Sequence, residues 1–201
     1  MSKVQVDTID TRSGTSTMQI GSTNTSTINI GVSGDTVNIP SGVTIANAGT
    51  ATGFGGDNTP AFHVRKSSNQ TGLTSGGWTK ITFDDEVYDT DNAFASNKFT
   101  APSDGKYFFT SSAKINPATS NDLVGSGMRL EINGAIAATC IHFENQNPSA
   151  AEGKTITAVL DLTANQYVEV YAYSQDGAGS SPTITGGNDR DTFFMGFKLI
   201  T

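Results

Sequence analysis

Lys98-Phe99-Thr100-Ala101-Pro102-Ser103-Asp104-Gly105-Lys106-Tyr107-Phe108-Phe109 is a short apolar run, a turn and an aromatic run. Pro102 presets φ at the second turn position, and Gly105 takes the place that tolerates φ > 0. The bulky aromatic run that follows is β-prone and belongs at the centre of a sheet. Strand alternation puts Tyr107 and Phe109 on one side and Phe108 on the other. The sequence leaves open which side is a sandwich core and which a subunit interface.

Outward from this pair, the texture stays β. Residues 61–65 alternate, and 78–83, 94–100 and 107–115 read as strands, with 84–91 as a polar connection carrying Val87-Tyr88. Met128-Arg129-Leu130-Glu131-Ile132 has period two and ends in Asn133-Gly134, a pair that favours a two-residue hairpin turn. Its return strand is expected over 137–143, and further strands over 154–162, 167–173 and 192–200. The last is apolar on both faces, which marks it as central or as packed against another subunit. No helical periodicity competes with this pattern, so the expected class is all-β, a sandwich or jelly roll.

The first quarter of the chain is different. All eleven Phe, all five Tyr and the single Trp lie at or beyond Phe54. Residues 1–53 are polar, with apolar–polar–apolar units such as Ile28-Asn29-Ile30-Gly31 and Val37-Asn38-Ile39-Pro40. A segment without bulky apolar groups cannot offset its own conformational entropy. Three chains winding together could bury Ile20, Ile28, Ile30, Val37 and Ile39 in short stacked strands, and a low-complexity linker is the alternative. The expected division is a stem or anchor over 1–53, a Gly-rich hinge over 54–59 and a head over 60–201.

Composition excludes several classes. Net charge is −7 with no Lys/Arg block, so no nucleic-acid partner is expected. No apolar run approaches 18 residues, so no membrane insertion is expected, and Met1-Ser2-Lys3 opens no signal peptide. Cys140 is the single cysteine, and its expected role is a small buried hydrophobe on a strand. His63 and His142 sit in expected strands with no nucleophile elbow nearby in sequence, so no catalytic residue is assigned. No phosphate loop or zinc motif occurs. Calcium is the one cofactor with candidates, through Asp84-Asp85-Glu86 with Asp89 and Asp91, or through Asp189 and Asp191 before the last strand. The polar loops 116–127, 144–153 and 174–191 are candidates for recognition or are solvated connections.

One set of residues carries a resemblance. Pro60-Ala61-Phe62-His63-Val64-Arg65, Phe83 with Val87-Tyr88-Asp89, and Phe99-Thr100-Ala101-Pro102 with Gly105-Lys106-Tyr107-Phe108-Phe109 come first. Leu130-Glu131-Ile132-Asn133-Gly134, Leu160-Asp161-Leu162 before Tyr167-Val168-Glu169-Val170, and Phe194-Met195-Gly196-Phe197 complete it. In order and spacing these resemble the globular heads of complement subcomponent q and tumour-necrosis-factor-like jelly rolls. The resemblance implies a ten-stranded jelly roll forming a homotrimer. Phe62, Tyr107, Phe109, Phe197 and Leu199 would then lie in the inner-sheet core or at the subunit interface. The N-terminal Val6-Asp7-Thr8-Ile9-Asp10-Thr11 and Asn24-Thr25-Ser26-Thr27-Ile28-Asn29-Ile30-Gly31 resemble tailed-bacteriophage virion proteins, especially of marine phages. The combined expectation is a non-enzymatic virion surface protein, a fibre, spike or capsid decoration trimer. Its N-terminus would hold capsid or tail proteins and its head would meet host surface glycan or protein. A soluble lectin-like module is the alternative.

Overall fold

Side chains that alternate between water and a shared interior need two sheets to close over them, and two sheets are what the computed structural model contains. It describes residues 20, 23–24, 26–46, 59–144, 146–187 and 191–199. By contacts the chain divides into two units, Met1–Thr52 and Gly53–Thr201.

In the first unit the described residues form turns and irregular backbone, with no strand. Gly31, Gly34 and Gly42 carry positive φ at its bends, and the Asp35 carboxylate accepts the Val32 amide at 2.9 Å. Ile20, Ile28, Ile30, Val37 and Ile39 are all exposed. The expected β-rich stem is therefore absent from the described part of the single chain. The physical reason is the one its composition supplies: each unit offers too few apolar groups to bury anything within one copy.

Among its described residues the second unit has twelve strands and no helix. They are β1 (Ala61–Arg65), β2 (Gly77–Lys80), β3 (Asp85–Asp89), β4 (Phe94–Ala95), β5 (Lys98–Thr100) and β6 (Gly105–Asn116). The series continues with β7 (Leu123–Ile132), β8 (Ala135–Phe143), β9 (Glu152–Leu162), β10 (Tyr167–Asp176), β11 (Thr183–Ile184) and β12 (Phe193–Lys198). One sheet runs β11-β6-β12-β1-β3 with β9 on the other side of β6, and the second runs β4-β5-β10-β7-β8 with β2 on β10. Every pairing is antiparallel. The count exceeds the expected ten, and β4 and β11 are two-residue segments.

Two turns explain how the long strands are registered. Gly105 has φ +149° at the start of β6, where the Pro102-Ser103-Asp104-Gly105 bend delivers the chain into the sheet. Asn133 and Gly134 have φ of 50° and 82°, both positive as the tight hairpin needs, and they join β7 to β8 with Ile132 opposite Ala135. As the apolar character of the last strand demands, β12 is central, between β6 and β1.

The core settles the alternation in β6. Tyr107 and Phe109 are fully buried, with Phe62, Phe99 and Phe194, and Phe62 stacks on Phe99 at 4.9 Å and meets Phe194 edge-on at the same distance. The Tyr107 hydroxyl donates to the Ser103 carbonyl at 2.6 Å, so its polar end is satisfied at the turn. Phe108 faces the opposite way, against Phe197 at 5.2 Å. The five residues grouped as interface or inner core thus separate. Phe62, Tyr107 and Phe109 are interior, Phe197 lies on the outer face, and Leu199 follows β12 with its amide donating to the Lys106 carbonyl at 2.8 Å. Removing a ring such as Phe62 costs about 3–5 kcal/mol for a change to Ala.

Three expectations change. Residues 84–91 include strand β3, paired with β1 from Phe62–Asp89 to Arg65–Asp85. Residues 94–100 are two short strands, broken at Ser96 and Asn97, whose φ values are 53° and 60°. The loops shrink, because 123–127 lie in β7, Glu152 and Gly153 in β9, and 174–176 in β10.

Candidate functional site

The titratable groups of the head are engaged in building it. His63 sits between the rings of Tyr88 and Phe193, at 6.0 and 5.9 Å, and the His142 Nε2 lies 3.2 Å from Glu144. Cys140 is partly buried, and its thiol lies 3.8 Å from the Thr155 carbonyl.

The acidic residues singled out for calcium are dispersed in the same way. Asp84 accepts from the Ser67 amide at 2.5 Å and the Ser68 hydroxyl at 2.6 Å. Partial burial works against its charge, yet those hydrogen bonds and Lys66 hold the Asp84 carboxyl below its ordinary pKa. Asp85 pairs with Arg65 at 2.7 Å, and Asp89 accepts the Ala93 and Phe94 amides. Asp91 accepts from the Thr90 hydroxyl, and Asp191 pairs with Lys114 at 3.0 Å. Asp189 lies outside the described residues. Among those described, no group of three or more His, Cys, Asp or Glu converges.

The exteriors of the two sheets are where the molecule is distinctive. On the first sheet Phe108, Phe193, Met195 and Phe197 are partly buried on the outer face. Their neighbours are His63, Tyr88 and, opposite Phe108, Val159. His63, Arg65, Phe193 and Met195 line a depression of about 230 Å³. Beside this sheet, β8 forms the edge of the other one, and Ile136, Ile141 and Phe143 project from it exposed. The strand Ala135–Phe143 carries no Lys, Arg, Asp, Glu or Pro.

The second sheet's exterior mixes rings with paired charges. The Arg129 guanidinium lies 4.6 Å from the Trp78 ring and 5.0 Å from the Tyr171 ring, and its Nη2 is 2.5 Å from the Glu131 carboxylate. Lys80 pairs with Glu169 at 2.5 Å, and Lys98 covers the Tyr167 ring at 4.4 Å. Partial burial, then Glu169 and Glu131, raise the Tyr171 hydroxyl pKa above its ordinary value. At one end of the sandwich, residues 72–76 and 175–181 enclose a polar depression of about 450 Å³. The buried Asp176 lines it, its Oδ2 accepting the Ala118 amide and its Oδ1 unpartnered. Burial, and less strongly Asp122, hold the Asp176 carboxyl above its ordinary pKa against that amide.

The family description C1q domain matches residues 61–199. The chain belongs to the C1q family. The C1q domain resembles in structure the globular domain of zebrafish complement 1qA, at 19% identity and a TM-score of 0.47, over 70% of this chain and 98% of that one. It resembles murine APRIL at 14% identity, over 69% of this chain and 98% of that one. Two crystal structures of APRIL, at pH 8.5 and pH 5.0, give TM-scores of 0.47 and 0.48. No curated protein sequence matches the chain. C1q and tumour-necrosis-factor-like domains are in general non-enzymatic binding modules, often trimeric.

The sequence offered the C1q domain's loops as recognition sites or solvated connections and did not single out the exterior of the second sheet. The signal was the odd-numbered spacing of Tyr167, Tyr171 and Tyr173, which puts three rings on one side of β10.

Proposed function

We propose that this chain is a non-enzymatic, homotrimeric surface protein of a bacteriophage particle. Residues 1–53 anchor it to capsid or tail proteins, and the C1q head is displayed outward for host-surface recognition. The observation that carries the assembly is the pair of unlike apolar surfaces on the head, the outer face of the first sheet and the β8 edge. Two different patches that fit each other make a head-to-tail contact, and such a contact either closes into a ring or runs on as a filament. A ring of three buries both patches on every copy. The exposed isoleucines and valines of residues 20–45 need partners too, and three parallel copies supply them. The virion reading rests on the likeness of the N-terminal segment to tailed-phage proteins. Whether the trimer is a fibre head or a capsid decoration depends on its neighbour in the particle.

The experiment is localisation on purified particles by labelling, with native mass of the isolated protein. The expected result is three chains per molecule and label on the virion surface, lost when residues 1–53 are deleted while the head stays trimeric. A monomer, or a truncated head that still attaches, overturns the corresponding half of the proposal. A soluble lectin-like module is the second reading. The ring-rich exterior of the second sheet favours it, because that face serves binding whether or not a particle is involved.

A further inference from the structure

We propose that the exterior of the second sheet holds a binding site for a neutral oligosaccharide, centred on Trp78, Tyr173 and Phe143. The inference deepens the reading of the head as a recognition module and rests on it.

The three rings form a continuous row across the sheet. Trp78 on β2 stands opposite Tyr173 on β10, with ring centroids 5.4 Å apart, and Phe143 on β8 meets Tyr173 at 5.6 Å. Strand β7 lies between β10 and β8, so a side chain there would cut the row. The residue at that point is Gly125, paired with Phe143 on one side and Gln175 on the other. An added Cβ would stand 2.9 Å from one Phe143 ring carbon and 3.1 Å from one Tyr173 ring carbon. Glycine in a strand interior weakens the strand and marks a place where something must approach closely. Here its cost is accepted where it lets two rings meet across a third strand. Phe143 remains 49% exposed, so the row faces solvent.

Charge selects the occupant. Around the row the cations and carboxylates are matched, Arg129 with Glu131 and Lys80 with Glu169, on a chain whose net charge is −7. Among the described residues, the cations closest to the row are taken up by carboxylates, and a polyanion is repelled by the net negative charge of the chain. A neutral sugar asks for different groups: aromatic faces for its C–H surface and planar hydrogen-bonding side chains for its hydroxyls. Gln175 is such a group. Its Oε1 accepts from the Tyr173 hydroxyl at 2.8 Å, which leaves its amide hydrogens as donors at the rim. The rings are tilted by 57° and 74° to their neighbours. That corrugation suits a short, bent glycan chain and does not suit a flat polymer sheet. The first sheet's patch lies elsewhere, and the β8 patch borders the row on the same exterior, with Ile136 and Ile141 assigned to the subunit contact and Phe143, at the strand's end, to the row.

Trp78 is the only tryptophan in the chain, so its fluorescence reports on this site alone. The full-length protein is titrated with maltotetraose, cellotetraose and triacetylchitotriose, and with a heparin hexasaccharide as polyanion, while native mass is recorded on the same sample. The expected result is a saturable change in Trp78 emission with at least one neutral probe. That response weakens roughly tenfold in Tyr173→Ala, and heparin gives no change. The Tyr173→Phe variant keeps the ring, drops the hydroxyl that holds Gln175, and is expected to lie between the two. No response to any neutral probe at millimolar concentration overturns the proposal, as does a response to heparin alone or equal affinity in Tyr173→Ala. An intact trimer without binding refutes only this site, whereas binding by a monomer refutes only the assembly.

Discussion

The two sheets of the head share one core and differ on their outer faces. The first turns Phe108, Phe193, Met195 and Phe197 outward as a run of rings and a thioether, with Arg65–Asp85, Lys106–Asp161 and Lys114–Asp191 as ion pairs on the same sheet. The second sets its rings directly against paired cations and carboxylates. The contrast follows from what each side chain needs. Charged groups taken out of water lose several kcal/mol each, so a surface that will be covered by another subunit does better without them. Ion pairs with rings between them can stay at a wet surface, hold a fixed geometry and still receive a small ligand. One sandwich therefore presents a face suited to burial against a copy of itself and a face suited to exchange with the surroundings.

The largest effect expected from breaking this contrast is on the first face. Phe108→Asp places an uncompensated charge in the proposed assembly contact, at an expected cost of several kcal/mol. Native mass should fall from three chains to one at micromolar concentration, with the β signature of circular dichroism retained. The same substitution at Tyr173 on the second face should leave the mass unchanged. If both variants stay trimeric, the faces have been assigned the wrong roles.

The next effect is on the charges of the second face. Arg129→Ala leaves Glu131, whose side chain is 6% exposed, without its partner, and should cost about 2–3 kcal/mol in denaturant unfolding. Its counterpart Lys106→Ala removes a pair whose side chains are 54% and 73% exposed, and should cost less than about 1 kcal/mol. Equal losses would mean that the burial of Glu131 does not matter.

The smallest effect lies at the end of the sandwich, where a change should touch neither face. The folded-state pKa of Asp176 is raised, so the folded protein holds this proton more tightly than the unfolded chain does. Its contribution is fully present below the ordinary aspartate pKa and is lost as pH rises through the raised one. Asp176→Asn keeps an acceptor for the Ala118 amide and removes that loss. It should raise the melting temperature at pH 7 by about 2–4 °C, for roughly 1 kcal/mol, with little gain at pH 3. Asp84→Asn should do the reverse at pH 7, since its lowered pKa contributes stability above the ordinary value and loses it as pH falls.

Much of the fold was readable from local chemistry. The Asn133-Gly134 hairpin, the bend at Gly105 and the opposite facing of Phe108 from its two neighbours follow from backbone preference and period-two alternation, which act within a few residues. What failed was set at longer range. Asp85–Asp89 is a strand because β1 pairs with it and Arg65 neutralises Asp85, and nothing in Asp-Glu-Val-Tyr-Asp announces either partner. Val124-Gly125-Ser126-Gly127 reads as loop, since glycine and serine usually break strands, yet Phe143 and Tyr173 require that thin stretch of β7. The ring row was hidden for the same reason, because its members come from β2, β10 and β8. The carboxylates offered for calcium were close in sequence, but Asp84, Asp85, Asp89, Asp91 and Asp191 each found an amide, hydroxyl or cation of their own once the chain folded.

The edge strand Ala135–Phe143 carries a cost that none of these measurements addresses. Nine residues without fixed charge or proline present a row of open backbone donors and acceptors, the template on which foreign strands grow. A subunit in isolation is therefore the form at risk of amyloid-like aggregation, and every copy that finds its neighbours is removed from that hazard. If the proposed trimer forms, assembly is also a protection against that hazard, and the yield of soluble protein should depend on how quickly subunits meet.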